Sequence, residues 1–321
     1  MTSVLVLGGG PDAEREVSLV GARAVAQALR DSGRFDVQLI EITRPSLAEI
    51  RAMRADVIWP LLHGRWGEGG PMQDLLEAGG RPYVGCGPAA ARLAMDKVAS
   101  KALAAEVGLK VLPTCVLDPG DAGLPMPLPV VVKPIFEGST IGLFVCRSEN
   151  DWRTAHARAV ASAKPYMIEP YVKGRELTLG MIERGGGSLS ALPFIEIVPA
   201  EGLYDYEAKY TRDDTRYQID PELPADLRRS LESGTAALAR RMGIRHLCRA
   251  DFLLDDDKRA WFLEVNTMPG FTGHSLVPMA AASTGLDMPS LCALLVERAL
   301  GTGRGVAHSP GSHATQARVH R

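Results

Sequence analysis

Two short segments carry the chain's densest chemistry. Arg249-Ala-Asp251-Phe and Glu264-Val-Asn266-Thr-Met-Pro-Gly270 place a guanidinium, two carboxylates and a carboxamide inside apolar runs. Residues 247–254 and 260–265 have the composition of strands, and Asp255-Asp256-Asp257-Lys258 between them reads as a hairpin turn. Pairing across that turn brings Asp251 beside Glu264 and Asn266. Three hard oxygen donors then converge next to one arginine, a set that suits Mg²⁺, which binds one or two carboxylates together with substrate phosphates. The plain alternative is a hairpin with ordinary surface charges. It is disfavoured because both acids lie within the apolar strands rather than in the turn, and a charge in such a place has a partner or a function.

Other residues raise further chemistry, each with a structural alternative. Gly8-Gly9-Gly10 after a strand either cradles an anion with its N–H groups or makes a tight turn. Glu14, in Ala13-Glu14-Arg15-Glu16-Val17-Ser18, lies where a helix dipole favours a carboxylate and is either a cap or a ligand-binding acid. Lys133-Pro134 ends a strand and leads into Glu137-Gly138-Ser139-Thr140-Ile141-Gly142, a small, hydroxyl-bearing loop able to close over polyphosphate. It lacks the Gly-Lys-Ser/Thr order of a P-loop, so its alternative is a simple Gly/Ser hairpin. Lys97 in Met95-Asp96-Lys97 is otherwise a solvated helix lysine, and Glu176 an exposed strand glutamate. Tyr204-Asp205-Tyr206-Glu207-Ala208-Lys209-Tyr210 is either a functional loop or tyrosines packed on a core. Ser275 near a helix start reads as an N-cap or a substrate contact.

The elements that must position these groups alternate. Strands at 3–7, 37–42, 57–62 and 82–85 are separated by helices at 16–31 and 73–78, which indicates a parallel sheet with its ligand loops at the strand ends. A second unit starts near Pro88, with a helix over 90–107, strands at 129–133 and 143–146, a helix over 151–163 and a strand at 166–169. Longer strands at 176–182 and 189–198 follow, then a polar loop over 201–216, a helix over 223–242, the hairpin, and helices near 275–283 and 289–300. The expected domains are 1–87, 88–173 and 174–301, with a disordered tail at 302–321 that has no apolar periodicity. The 321 residues, 46% hydrophobic and 23% charged, supply ample core. A net charge of −2 advertises no nucleic-acid surface, and no apolar run long enough for a membrane span is present. The five cysteines have no paired spacing, which fits reduced thiols in a cytoplasm, and the seven histidines have no metal-ligand spacing.

The hairpin pair resembles the metal site of the ATP-grasp superfamily, and Glu264-Val-Asn-Thr-Met-Pro-Gly-Phe-Thr with His274-Ser275-Leu276 resembles the D-alanine–D-alanine ligase family. The other motifs occur in that family's order across most of the chain. The resemblance implies an α/β protein: an ATP-grasp fold preceded by a parallel-sheet, Rossmann-like N-terminal domain. It implies ATP-dependent joining of two D-alanines through a D-alanyl phosphate, for peptidoglycan precursors, in a cytoplasmic homodimer. Asp251, Glu264 and Asn266 would hold two Mg²⁺, with Mn²⁺ as a substitute and a monovalent cation as an addition. Lys97, Lys133, Glu137, Ser139 and Lys209 would meet ATP on its phosphate side, Glu169, Tyr171 and Val172 the adenine, Glu176 the ribose. Glu14, His63, Glu68, Lys209, Tyr210, Ser275 and Leu276 would bind the D-alanines. Arg249 and the Gly270 N–H would stabilise the oxyanion, with Glu14, Ser139 and Tyr210 completing the catalytic set. The chain departs from the family at Pro170, where a lysine that contacts adenine is usual. The alternatives are a D-alanine–D-lactate or D-serine ligase, a ligase of secondary metabolism, or a non-catalytic nucleotide-binding protein.

Overall fold

A computed structural model describes residues 1–199 and 215–303. The segment 204–210 with Lys209 and Tyr210, and residues 304–321 of the tail, lie outside the described residues.

The first unit comprises β1 (Thr2–Gly9), α1 (Arg15–Asp31), β2 (Phe35–Ile42), α2 (Leu47–Ala52), β3 (Val57–Pro60), α3 (Gly64–Gly67) and α4 (Pro71–Gly79). Its three strands are parallel in the order β2-β1-β3. The central β1 is buried on both faces, which explains its continuous apolar run. The strand expected at 82–85 is reduced to one bridge, Ile58 to Tyr83. Gly9 and Gly10 have φ of 101° and 90°, and a Cβ on Gly9 would lie 2.5 Å from the Ile42 carbonyl oxygen. The Gly9 N–H donates to Ser18 Oγ and the Gly10 N–H to Ile42 O, so both are committed within the protein and the tight-turn reading holds.

The helix expected over 90–107 is two helices, α5 (Pro88–Met95) and α6 (Lys97–Glu106). Asp96 separates them with φ −82° and ψ 100°, and its carboxylate accepts the Val98 and Ala99 N–H groups at 3.0 Å each. Aspartate competes with the helix for backbone partners, so it starts a new helix where apolar periodicity runs on unbroken. After β4 (Lys110–Val111) come β5 (Cys115–Val116), β6 (Val130–Pro134), β7 (Phe144–Cys146), α7 (Glu149–Ala161) and β8 (Tyr166–Pro170). The last four strands form an antiparallel sheet, β5-β8-β6-β7, with its own core of Val130, Val132, Trp152 and Ile168.

The third group is β9 (Gly174–Gly185), β10 (Ser188–Ala191), β11 (Ile195–Val198), β12 (Arg216–Ile219), α8 (Ala225–Met242), β13 (Leu247–Asp255), β14 (Ala260–Asn266), α9 (Leu276–Ala282) and α10 (Met288–Gly303). Its strands run β12-β11-β9-β13-β14-β4, with β10 also on β9. The single strand expected at 189–198 is broken between β10 and β11, where Pro193 has no N–H to give a ladder. Helices α5, α6 and α8 cover one face of this sheet. On the other side α10 joins the first unit: Leu291, Leu295 and Val296 share one core with Val25 and Leu29 of α1 and Trp59 of β3. Among the described residues no helix is long and apolar enough to cross a membrane.

Candidate functional site

The hairpin forms in the expected register: Arg249 lies opposite Asn266 and Asp251 opposite Glu264. Strand alternation puts Arg249 and Asp251 on one face. Arg249 grips Asp251 with Nε 2.9 Å from Oδ1 and Nη2 2.8 Å from Oδ2. From β9, Thr178 Oγ1 donates to Asp251 Oδ1 at 2.6 Å, and Asn266 Nδ2 donates to Oδ2 at 3.2 Å. Glu264 faces Lys97 Nζ at 3.0 Å. Each carboxylate therefore already meets a cation of the protein, a refinement of the convergence expected from sequence. Among the described residues no three His, Cys, Asp or Glu side chains are placed to hold a metal ion by themselves. The donor set is two carboxylates plus the Asn266 carboxamide oxygen, the Asn266 nitrogen being the group that bonds Asp251. Such a set fits a hard divalent ion that takes its remaining ligands from phosphate.

Lys97, the first residue of α6, also donates to the Glu137 carbonyl at 2.5 Å. This ties the helix to the 137–142 loop. Ser139 and Thr140 in that loop have φ of 52° and 62°, a strained backbone for residues with side chains. The Ser139 hydroxyl donates to Glu14 Oε1. Glu14 stands at the N-cap position of α1 yet makes no capping bond with its side chain, so the cap alternative is set aside. The Glu137 side chain points outward to Lys164 Nζ at 2.7 Å.

His63 and Glu68 flank α3; His63 is buried and Glu68 partly buried. Burial, with the nearby Arg249 charge, lowers the His63 imidazole to about 4. Burial, with the charges of Glu14 and Glu264, pushes the Glu68 carboxyl well up. At 4.0 Å, with a neutral imidazole, the two are not an ion pair. Glu68 Oε1 instead accepts the Gly64 N–H at 3.2 Å, and His63 Nε2 is buried with no partner among the described residues. Gly270 lies against Ser275: a Cβ there would be 3.1 Å from Ser275 Oγ. The Phe271 ring meets Trp59 edge-on at 5.3 Å, which fixes this segment on the first unit. Ser275 does not cap α9 with its side chain; its Oγ accepts the Thr272 N–H at 2.8 Å. The Leu276 side chain is core, so any contact it makes with a ligand comes from its backbone.

One cavity is lined by Lys97, Lys133, Glu137, Ser139, Glu176, Arg249, Asp251 and Glu264, and a smaller one beside it by Glu68, Glu264 and Asn266. Residues that sequence had scattered over the chain thus face one cleft. Its apolar wall includes Ile141, Leu143, Leu177, Ile197, Phe252 and Leu263, residues that sequence reasoning did not single out. In a sequence those residues look like any strand core. Glu169, Tyr171 and Val172 lie outside this lining. Glu169 is buried, and its carboxylate is bound to Lys133 at 2.7 Å and Lys101 at 2.6 Å. Pro170 ends β8, and the following Tyr171 N–H bonds to Pro129 O at 2.9 Å. The Arg147 guanidinium lies 5.0 Å from the centre of the ring of Tyr171, the residue next to Pro170 in the chain.

Comparison with known proteins agrees in one direction. The family described as "D-ala D-ala ligase C-terminus" matches residues 124–297. A D-alanine–D-alanine ligase of Bordetella petrii is 40% identical over 298 residues, 92% of this chain and 91% of that protein. One from Acidiphilium cryptum is 42% identical over 307 residues, 93% of this chain and 99% of that protein. The solved D-alanine–D-alanine ligase of Bacillus anthracis, complexed with ATP, superposes with a TM-score of 0.78 at 26% identity, over 95% of this chain and 98% of that one.

Proposed function

The chain belongs to the D-alanine–D-alanine ligase family, and from that premise we propose how its own residues carry the family's reaction. The enzyme is an ATP-grasp ligase that joins two D-alanines, releasing ADP and phosphate. A carboxylate is a poor electrophile, so the first D-alanine is activated as an acyl phosphate before the second amine attacks.

The observation that carries the residue assignment is the Ser139–Glu14 hydrogen bond. It brings the phosphate loop onto the acid that begins α1, so one closed cleft holds both the first amino acid and the triphosphate. Glu14 receives the ammonium of the first D-alanine, with His63 and Glu68 behind it. Lys97 and Lys133 take the phosphates as point charges, and Glu176 takes the ribose at the edge of the apolar wall. Asp251, Glu264 and Asn266 would hold Mg²⁺, which supplies charge neutralisation for the transferring phosphoryl group. Arg249 and the Gly270 N–H face the acyl oxygen, and such preorganised donors contribute about 3–4 kcal/mol each. Closure of the 137–142 loop excludes water that would hydrolyse the acyl phosphate. Lys209 and Tyr210 complete the lid in this reading. The homodimer and the cytoplasmic location belong to the same proposal, the latter because ATP is drawn from that pool.

The test is product analysis with ATP, Mg²⁺ and equal D-alanine, D-serine and D-lactate. D-alanyl-D-alanine with one phosphate per dipeptide is expected near neutral pH. Depsipeptide or a D-serine product in excess replaces the D-alanine reading with the second-site alternative. Light scattering in solution checks the dimer.

A further inference from the structure

Helix α6 carries a second lysine that the reaction described so far does not use. Lys101 is 3% exposed. Its ammonium donates to the Phe262 carbonyl on β14 at 3.0 Å and to Glu169 Oε1 at 2.6 Å. Glu169 on β8, 2% exposed, also takes the Thr114 hydroxyl at 2.9 Å on Oε1 and the Lys133 ammonium at 2.7 Å on Oε2. Two ammoniums thus share one buried carboxylate, and only Lys133 reaches the cavity wall.

We infer that Lys101 is a positioning residue for the nucleotide: by holding Glu169, it keeps the Lys133 ammonium available to ATP phosphates. The inference rests on the reading of Lys133 as a phosphate contact. A buried carboxylate with a single cation holds that cation, because releasing it strands a charge in a low-dielectric site. With Lys101 as the permanent partner, Glu169 never depends on Lys133 alone. Lys133 can then turn to phosphate while Glu169 stays paired. The cluster carries one net positive charge beside the cleft that must receive a polyanion. Stability alone does not explain Lys101, since an apolar side chain of its length is often as good or better in a core. Burial and the neighbouring Lys133 pull its ammonium down to about 8 against the pull of Glu169, so the charge is held at a cost.

The experiment is titration of the full-length protein, with Mg²⁺, by a non-hydrolysable ATP analogue, alongside steady-state KM for D-alanine. Lys101→Met should weaken analogue binding by about tenfold or more, with the D-alanine KM changed by less than about twofold. Glu169→Gln removes the charge that Lys101 guards, so Glu169→Gln and the double variant Lys101→Met/Glu169→Gln should bind the analogue alike, within about twofold. Both should bind it more tightly than Lys101→Met. Unchanged binding in Lys101→Met, or a double variant no better than that single one, overturns the inference, the second result marking Lys101 as merely structural. If Lys101→Met does not fold, the comparison of Glu169→Gln with the double variant decides, and a clear difference between them overturns it. Lys133→Met separates the two levels: unchanged binding there overturns the phosphate reading itself, whereas a loss there without one in Lys101→Met overturns only the role of Lys101.

Discussion

Glu264 is held by Lys97 at 3.0 Å, and that pairing sets what its neutralisation does. Glu264→Gln keeps the shape but removes the charge proposed to face Mg²⁺ and leaves Lys97 without that carboxylate. The kcat at saturating Mg²⁺ should fall by roughly 100-fold or more, while circular dichroism stays that of the parent. Near-parental turnover would remove Glu264 from the metal site. His246 gives a second residue-scale test. It is 1% exposed, accepts the Gly85 N–H on Nδ1 at 3.0 Å, and burial, with Arg245 beside it, lowers it to about 3. The unfolded chain binds this proton at 6.5 and the folded protein only near 3, so the unfolded state holds more protons between those values. Stability from this group is complete above pH 6.5 and is lost as pH falls through that window. His246→Asn should flatten the acid limb of a stability–pH curve by up to about 1.4 kcal/mol per pH unit; an unchanged slope would show that His246 is not a source of acid sensitivity. Residue types and spacing made the hairpin acids and Glu14 legible in the sequence. Lys101 was not, because a helix lysine looks solvated until the fold shows which face is buried. Glu169 was expected beside the nucleotide, but its pairing with two lysines could not be read from sequence.

Elements were legible where periodicity and composition agreed, as in β1, α1, α8 and the β13–β14 hairpin. They were misread where one backbone group overrides the pattern. Pro193 split a strand, and Asp96 split a helix whose alanine-rich face continues across it. The Asp96 break has a functional consequence. By capping α6 it makes Lys97 the first residue of that helix, and it fixes the helix on which Lys101 sits. Asp96→Ala removes the acceptor of two helix N–H groups and should cost about 1 kcal/mol of stability. It should also raise the KM for ATP more than that for D-alanine, because both lysines ride on α6. Asp96→Ser, which still caps, should recover most of both losses. Equal rises in the two KM values would indicate a diffuse loss of structure instead of a displaced α6.

At the scale of the molecule, the cores do not follow the chain. Expected units 1–87 and 174–301 are distant in sequence, yet α10 packs Leu291, Leu295 and Val296 against α1 in one shared core. The antiparallel sheet of β5 to β8 has a separate core around Val132 and Trp152 and meets the rest at the site. We propose that the chain unfolds as two cooperative bodies: the N-terminal sheet welded to the C-terminal sheet, and the small sheet that carries the 137–142 loop. Periodicity could mark each helix but not which core it would join, since that depends on contacts far apart in sequence. Leu295 is fully buried, so Leu295→Ala should cost roughly 2–5 kcal/mol. In native-state hydrogen exchange, the amides of β1 and β9 should lose protection together in this variant, although the substitution lies on neither strand. Val132→Ala should lower protection across β6 and β8 and leave β1 and β9 near their parental values. A Leu295→Ala protein in which β1 keeps its parental exchange while β9 loses protection would show that the N-terminal sheet folds alone. The closed site would then be assembled from three independent bodies, and the clamp between Glu14 and Ser139 would have to hold two moving parts rather than one.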